Sequence, residues 1–270
     1  TLLVIVTLSL ANLDLEVDVY RTSLRFEVFQ NGTFVDVTNQ NRPNDTNAFR
    51  LTPYYERSGV LNLTWLTASF FILSAAFHFL NAFVVRSFYL SELRQCRTPT
   101  RWIEYFLSAP VMFVLIAYGL GIRDRATFIT TAGLVAVTMP FGYWVEVVGR
   151  PKNKKEWTSP LLQRIYPWIL GHIPQSIAWL IVILSFYDNG WDLDRVPWFV
   201  HLILWAELVL FYSFGIASLV SQLGPPARFY KGELVFQILS LVSKGLLGIL
   251  LISNVLMLSR FEDIFDEETN

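Results

Sequence analysis

The sequence predicts an all-α membrane protein, a bundle of seven transmembrane helices with an extracellular β-hairpin in the first loop. Three observations predict this fold. Hydrophobic residues make up 53% of the 270 residues and charged residues only 16%, against about 25% charged residues in ordinary soluble domains. Six apolar stretches reach about 18 residues or more, the length that crosses a bilayer as a helix. An Asn-Gly pair between alternating runs predicts the hairpin.

The overall composition excludes several classes of protein. A net charge of −1 and a pI near 6.3 exclude a strongly basic nucleic-acid binder, because phosphate contacts need clustered Lys and Arg. The single cysteine, Cys96, excludes an internal disulfide framework and a cysteine-based zinc site. No two-histidine metal spacing or Gly-x-Ser-x-Gly elbow is present in the sequence, so we expect neither a metal site nor an enzyme.

The apolar stretches give the predicted crossings. They span residues 63–85, 102–122, 126–148, 160–186, 196–222 and 231–258. The opening run 1–13 is a partial seventh stretch, since 13 residues reach about 20 Å of a core of about 30 Å. We interpret it as a truncated first helix; a cleavable signal peptide is the alternative, but the run lacks a basic flank and a cleavage site. One domain, 1–270, is expected.

Lys and Arg predict the orientation. The loops 86–101, 149–159 and 223–233 carry ten of them, against four in the short loops of the opposite side and the tail. Cytoplasmic loops are enriched in these residues. We therefore expect a cytoplasmic N-terminus and an extracellular C-terminus, although five arginines in the long loop 14–62 weaken the count.

The first loop, 14–62, has the pattern of β-structure. Residues 13–20 alternate between apolar and polar side chains, and Asn31-Gly32 stands between two further alternating runs. This is the strongest short-range hairpin signal. The loop is predicted to form the extracellular β-hairpin.

Charged residues inside the predicted crossings are costly and need an explanation. They are Glu104, Glu146, Arg164, Glu207 and Lys244. Glu146 and Arg164 lie near the predicted cytoplasmic ends, so we expect their side chains to extend to the membrane surface.

Lys244 lies at the midpoint of its segment, about 20 Å from the inner end at 1.5 Å per residue. An ammonium group at that depth must be paired, neutral or covalently modified. A lysine amine in an apolar setting suits a Schiff base with an aldehyde, and a protonated imine needs a carboxylate counterion. The alternative is an ion pair between Lys244 and a glutamate that holds two helices together.

Polar side chains on three segments share helical spacing, which places each set on one face. The three sets are Gln237, Ser240 and Lys244; Ser74, His78 and Asn81; and Arg101, Glu104 and Ser108. A single His78 would more often be a core residue, but the stripe favours a polar network. The three sets therefore predict polar surroundings for Lys244.

Several of these residues carry a family resemblance. They are Arg-Trp-x-Glu-Tyr at 101–105 followed by Ser108-Ala109, Ser74 with His78, and Ser240-x-x-x-Lys244-x-Leu246-Leu247-Gly248. With the inverted orientation and the structured first loop, the chain resembles a heliorhodopsin. The resemblance implies all-trans retinal on Lys244 as a protonated Schiff base, Glu104 as its counterion, and Ser74, His78 and Ser240 in the adjoining network. We add Ser108 and Arg101 to that network and expect a homodimer in the lipid bilayer.

Aromatic residues supply a candidate pocket. Two predicted crossings each carry a stripe of aromatic and polar residues on one face. In the crossing 196–222 the stripe is Trp198, His201, Trp205 and Tyr212, and in the crossing 160–186 it is Trp168, His172, Gln175 and Trp179. Such stripes occur in helix packing as well as in cofactor pockets, and both interpretations stay open. The predicted pocket residues are Tyr105, Met112, Trp179, Trp205 and Tyr212.

Glu207 is not explained by the resemblance. A carboxyl group at mid-membrane depth is either a protonated structural donor or part of a proton path. With His201 and Glu233 it would provide titratable stations for proton movement.

Three functional classes follow from these observations. The leading class is a retinal photoreceptor, and the alternative is a light-gated or light-driven proton channel or transporter on the same scaffold. A non-retinal seven-helix receptor is remote, because Arg123-Asp124-Arg125 lies on the presumed outer side and the seventh segment has no Pro.

Overall fold

The computed structural model describes residues 2–30, 33–36, 38, 49–149, 160–188 and 196–256. Its helices are α1 (Leu2–Leu10), α2 (Leu63–Phe79), α3 (Arg86–Arg94), α4 (Pro99–Gly119), α5 (Arg125–Gly149), α6 (Leu161–Asp188), α7 (Trp198–Leu223) and α8 (Phe229–Leu251). Its strands are β1 (Glu16–Gln30), β2 (Thr33–Asp36) and β3 (Phe49–Asn62). Wider π-helical turns continue α2 through Leu80–Val84 and α8 through Ile252–Leu256.

Six helical spans in the described residues are long and apolar enough to cross a membrane. Each coincides with a predicted crossing, and α1 adds a shorter helix packed against α2 and α8. The predicted fold class is therefore confirmed. The nine-residue α3 was not predicted, and it lies in the loop 86–101. The predicted end of the last crossing, 257–258, falls outside the described residues.

The first loop folds into a three-stranded antiparallel sheet with strand order β2-β1-β3. Gln30 pairs with Thr33 in the antiparallel pair of β1 and β2, so the predicted hairpin is confirmed, although Asn31-Gly32 itself lies outside the described residues. The third strand was missed. Its Pro53 argues against a central strand, but β3 is an edge strand, where proline is tolerated.

The sheet is joined to one end of the bundle, which we call the sheet end; the opposite end is the far end. The backbone N–H of Tyr20 donates to the carbonyl of Arg123 at 2.9 Å, which ties β1 to the α4–α5 connection. Asn62 caps α2 by accepting from the N–H of Trp65 at 3.0 Å. Val17 and Val19 of β1 are buried and belong to the main hydrophobic core, so the sheet is part of the folded core.

Helix α4 is the central helix of the bundle and contacts α2, α5 and α7. Phe113, Ile116 and Ala117 on α4 have no exposed surface. The outer faces of other helices stay apolar, as with the exposed Val209 and Val220 on α7. A core on one side and lipid on the other explains this distribution.

Candidate functional site

Lys244 of α8, Glu104 of α4 and Ser74 of α2 form a hydrogen-bonded triad. Lys244 Nζ lies 2.8 Å from Glu104 Oε1. The Ser74 hydroxyl donates to the same carboxylate oxygen at 2.7 Å and accepts from Lys244. The side chains of Lys244 and Glu104 are only 8% and 6% exposed. The structure thus gives the mid-membrane lysine a direct carboxylate partner and a hydroxyl that touches both groups.

Tyr105 helps to position the triad by joining α4 to α8. Tyr105 follows Glu104 on α4, and its ring centre lies 5.5 Å from Lys244 Nζ. The Tyr105 hydroxyl donates to the backbone carbonyl of Phe236 at 3.3 Å. Phe236 is on α8, so this bond holds α4 and α8 together two turns from the lysine. Buried Ser240 lies one turn from Lys244.

An apolar cavity opens from Lys244 into the bundle. Its aromatic and sulfur-containing lining includes Trp102, Tyr105, Met112, Met139, Phe141, Trp168, Phe211, Phe214 and Phe236. His172 and Gln175 of α6 and Ser108 of α4 add polar groups. An apolar lining with a few polar groups is typical of a small-molecule site.

Glycines bring the cavity walls close to aromatic rings. A Cβ atom added to Gly142 would lie 2.0 Å from the Trp102 ring, and one on Gly215 would lie 2.3 Å from the ring of His172. Both contacts are far inside van der Waals distance, so only glycine fits. The absence of a side chain here lets both rings lie against the neighbouring backbone at the cavity wall.

A second, polar cavity lies on the far-end side of Glu104. His78, Asn81, Gln237 and Ser240 line it. His78 is exposed and shares the cavity with Glu104 without touching the triad, whereas Ser240 borders both cavities. The predicted polar stripes of α2 and α8 therefore face one another across this space.

Arg101 makes no hydrogen bond to the triad within the described residues, although it lines the polar cavity together with Glu104 and Ser240. Its guanidinium donates to Glu146 of α5 and Glu233 of α8. Glu146 also accepts from the backbone N–H of Thr98 at 2.7 Å. Glu146 is 1% exposed, so the expectation that its side chain extends to the membrane surface is wrong. The buried Arg101 offsets part of the desolvation cost of both carboxylates, because it supplies the opposite charge.

Tyr89 of α3 extends the Arg101 cluster beyond the crossings. Its hydroxyl donates to Glu233 Oε1 at 3.2 Å. Burial, together with the nearby carboxylate charge of Glu233, raises the pKa of the Tyr89 phenol, so it remains a proton donor at neutral pH. We call Arg101, Glu146, Glu233 and Tyr89 the far-end cluster.

The predicted aromatic pocket needs correction on α7. Trp205 is 48% exposed and faces away from the cavity. Tyr212 does not line the cavity either; its hydroxyl lies 2.8 Å from that of Ser176. Trp179 is buried behind the wall, with its ring centre 5.5 Å from that of Phe211. Tyr105 and Met112 do line the cavity.

Ser108 also departs from its predicted place. Its hydroxyl is buried in the apolar cavity wall and has no hydrogen-bond partner within the described ranges. It therefore lies outside the Lys244–Glu104–Ser74 triad, on the side where a ligand would contact it.

The three predicted proton stations occupy three separate places. Glu207 has no exposed surface and accepts from the Ser243 hydroxyl at 2.6 Å. His201 packs against the ring of Phe186 at 5.6 Å, near the sheet end. Glu233 is held in the far-end cluster. The structure therefore does not bring them together, but it links Glu207 to the residue preceding Lys244.

Comparison with known proteins identifies the family. A family model for heliorhodopsins matches residues 19–256. The chain belongs to the heliorhodopsin family. Because heliorhodopsins are membrane photoreceptors, membership supports a retinal-binding rhodopsin, an integral multi-pass protein of the lipid bilayer, and the predicted family is confirmed.

Two solved rhodopsin structures are similar to this heliorhodopsin. The thermophilic rhodopsin from Rubrobacter xylanophilus is 16% identical, with a TM-score of 0.55, over 77% of this chain and 86% of that chain. The light-driven proton pump LR (Mac) from Leptosphaeria maculans is 8% identical, with a TM-score of 0.45, over 88% and 70% of the two chains. The first similarity shows the rhodopsin fold. Comparison with curated proteins gives no significant match.

The inward face of α7 and the far-end cluster were not predicted from the sequence. Polar residues would have identified the face, since Glu207, Ser218 and Gln222 are all buried and recur at helical spacing. The cluster had a signal too: Arg101, Glu146 and Glu233 place one positive and two negative charges near the same predicted end of three crossings.

Proposed function

We propose that this heliorhodopsin is a light sensor that binds all-trans retinal at Lys244 as a protonated Schiff base, with Glu104 as the counterion. The observation that carries the proposal is the position of Lys244. Its amine contacts Glu104 at 2.8 Å while its side chain borders the apolar cavity. An aldehyde that enters this cavity can therefore reach the amine of Lys244.

The residues present fit such a chromophore. The cavity lining is mostly apolar and rich in aromatic rings, and Gly142 and Gly215 let two rings approach the backbone closely, which suits a long apolar polyene. The buried Ser108 Oγ and Gln175 Nε2 have no hydrogen-bond partner within the described ranges. Both residues line the cavity, so polar groups are available to a ligand or to water.

Bound retinal supplies light absorption and a change of shape on isomerisation. The chain supplies the electrostatics. Glu104 stabilises a positive charge at the end of Lys244, and Ser74 fixes the carboxylate oxygen by donating to it at 2.7 Å. Because both groups are buried, water screens their interaction weakly. Movement of the Lys244 side chain therefore changes the hydrogen bonding of Ser74 and Glu104 directly.

For the orientation, we propose that the far end is cytoplasmic and the sheet end extracellular. The support is the ten Lys and Arg residues in the far-end loops and the positive-inside rule. The polar cavity between Glu104 and the far-end cluster then faces the cytoplasm. We further propose that the chain forms a single domain and assembles as a homodimer.

A second candidate function, light-dependent proton transport, has one specific observation in its favour. Ser243 donates to the buried Glu207 at 2.6 Å, and Ser243 is adjacent to Lys244 in the chain. A shift of Lys244 would therefore act on a carboxyl group at membrane depth, which is the position expected of a proton station.

The test of the leading proposal is reconstitution with retinal. The purified chain is mixed with all-trans retinal, its visible spectrum is recorded, and the chromophore is extracted in darkness for isomer analysis by chromatography. We expect a new visible band and recovery of the all-trans isomer. Failure to form a band in a monodisperse preparation would overturn the proposal, and recovery of another isomer would overturn the all-trans assignment.

A further inference from the structure

An apolar groove lies on the outer surface of the bundle at the sheet end. Its lining includes Val111 and Val114 of α4, Phe128 and Ala132 of α5, and Val60 of β3. Val111 and Val114 are only half-buried, although they belong to the central helix.

The groove runs from the membrane surface into the hydrocarbon region. Arg125 begins α5 at the sheet end, and Ala132 lies seven residues further along the same helix. At 1.5 Å per residue, the groove therefore extends inward by about 10 Å. Apolar walls at this depth favour a hydrocarbon chain over water, because water there would lose hydrogen bonds.

Arg125 stands at the mouth of the groove with unused donors. Its Nη1 donates to the Ser58 hydroxyl at 2.8 Å, and no carboxylate pairs with it in the described part of the chain. The nearest carboxylate in sequence, Asp124, accepts from the N–H and hydroxyl of Thr127, both at 2.8 Å. The exposed guanidinium is thus free to bind an anion at the level of the lipid headgroups.

We propose that this groove is a binding site for one phospholipid, with the phosphate on Arg125 and an acyl chain between α4 and α5. The planar guanidinium matches a phosphate in charge and hydrogen-bond geometry. The apolar groove continues directly from it, so headgroup and chain are recognised by one continuous surface. Because Val60 and Ser58 belong to the sheet, the lipid also joins the sheet to the bundle.

The experiment measures lipid binding to the purified full chain in detergent by native mass spectrometry. The probe is palmitoyl-oleoyl phosphatidylglycerol. Diacylglycerol with the same chains tests the phosphate, and glycerophosphate without chains tests the groove. We expect Arg125→Gln to weaken binding of the phospholipid about tenfold, the loss of one charged hydrogen-bonding group. The matched control is Arg86→Gln, an exposed arginine on α3 that lies away from the groove.

A second variant, Ala132→Phe, fills the inner part of the groove and should also weaken phospholipid binding while leaving Arg125 in place. Arg125→Gln changes an exposed side chain, so its result holds even where the larger residue disturbs packing. Equal affinity of wild type and Arg125→Gln would overturn the proposal. Equal binding of diacylglycerol, or binding of glycerophosphate as strong as that of the phospholipid, would overturn it as well.

Discussion

The amine of Lys244 and the carboxylate of Glu104 lie 2.8 Å apart on facing helices, both almost fully buried. Ser74 hydrogen-bonds to both. A lone charge at this depth would be costly, whereas the pair, with its shared hydroxyl, satisfies both charges. This contact is the basis of the first two predictions, one for each partner.

Lys244→Ala should abolish the visible band that wild type forms with all-trans retinal, because alanine has no amine for an imine. The measurement is the absorption spectrum after reconstitution. Lys231→Ala serves as the control, since Lys231 is an exposed lysine of the same helix and its loss should leave the band unchanged. A visible band in Lys244→Ala would refute the assignment.

Glu104→Gln should lower the pH at which the visible band converts to the near-ultraviolet absorption of an unprotonated imine. The sign follows from charge: the carboxylate stabilises the protonated form, so its removal lets the proton leave at lower pH. A pH titration of the spectrum measures this, with Glu92→Gln on α3 as the control. An unchanged titration would assign the counterion to another acid.

The orientation can be tested with single cysteines, because Cys96 is the only cysteine in the sequence and is buried. In a Cys96→Ser background, Tyr55→Cys places a thiol on the sheet, where Tyr55 is 74% exposed, and Arg228→Cys places one at the far end. We expect a membrane-impermeant maleimide to label Tyr55→Cys in intact cells and Arg228→Cys only after permeabilisation. The reverse pattern would contradict the proposed topology.

Arg101→Met should destabilise the protein strongly, since it leaves Glu146 and Glu233 buried without their cation. Removing one partner of a buried ion pair costs about 3–5 kcal/mol of stability. The measurement is the free energy of unfolding of the variant and of wild type in mixed detergent. Arg21→Met, which breaks the exposed pair with Glu56, should have little effect.

A companion variant separates charge from packing in the far-end cluster. Adding Glu146→Gln and Glu233→Gln to Arg101→Met removes the unpaired charges, so part of the stability should return. A triple variant no more stable than Arg101→Met would show that packing of the arginine, not charge pairing, is what the cluster contributes.

Glu207→Gln should leave pigment formation intact and change any light-evoked proton current. Gln keeps the size and hydrogen bonding of the side chain but cannot titrate, and Ser243 can still donate to it. Whole-cell current under illumination across a pH gradient, at matched expression, makes the comparison. Absence of current from wild type would exclude conduction and leave the photoreceptor proposal alone.

The crossings and the polar surroundings of Lys244 could be predicted because charges and polar stripes are rare in lipid and therefore informative. The inward face of α7 could not be predicted from its aromatic residues. Trp198, 68% exposed, faces outward while Leu204 has no exposed surface. In a membrane both directions are apolar, so hydrophobic periodicity alone does not distinguish core from lipid.

The pairing of Arg101 escaped prediction for a different reason. Sequence gives the depth of a residue along its own helix but not the rotation of that helix against its neighbours. Glu146 was expected at the surface from its depth alone, yet α5 turns it inward to Thr98 and Arg101. Only tertiary packing brings three helices to one guanidinium.

Helix α8 is bonded through Glu233 to the far-end cluster and through Lys244 to Glu104. Eleven residues separate the two points, about 16 Å along a single continuous helix. This helix is continuous between the two buried charge pairs. A displacement along its axis at Lys244 is therefore carried to Glu233 without unwinding of the helix. A shift of Lys244 along the axis of this helix would also move Glu233 against Arg101 and Tyr89 in the buried far-end cluster.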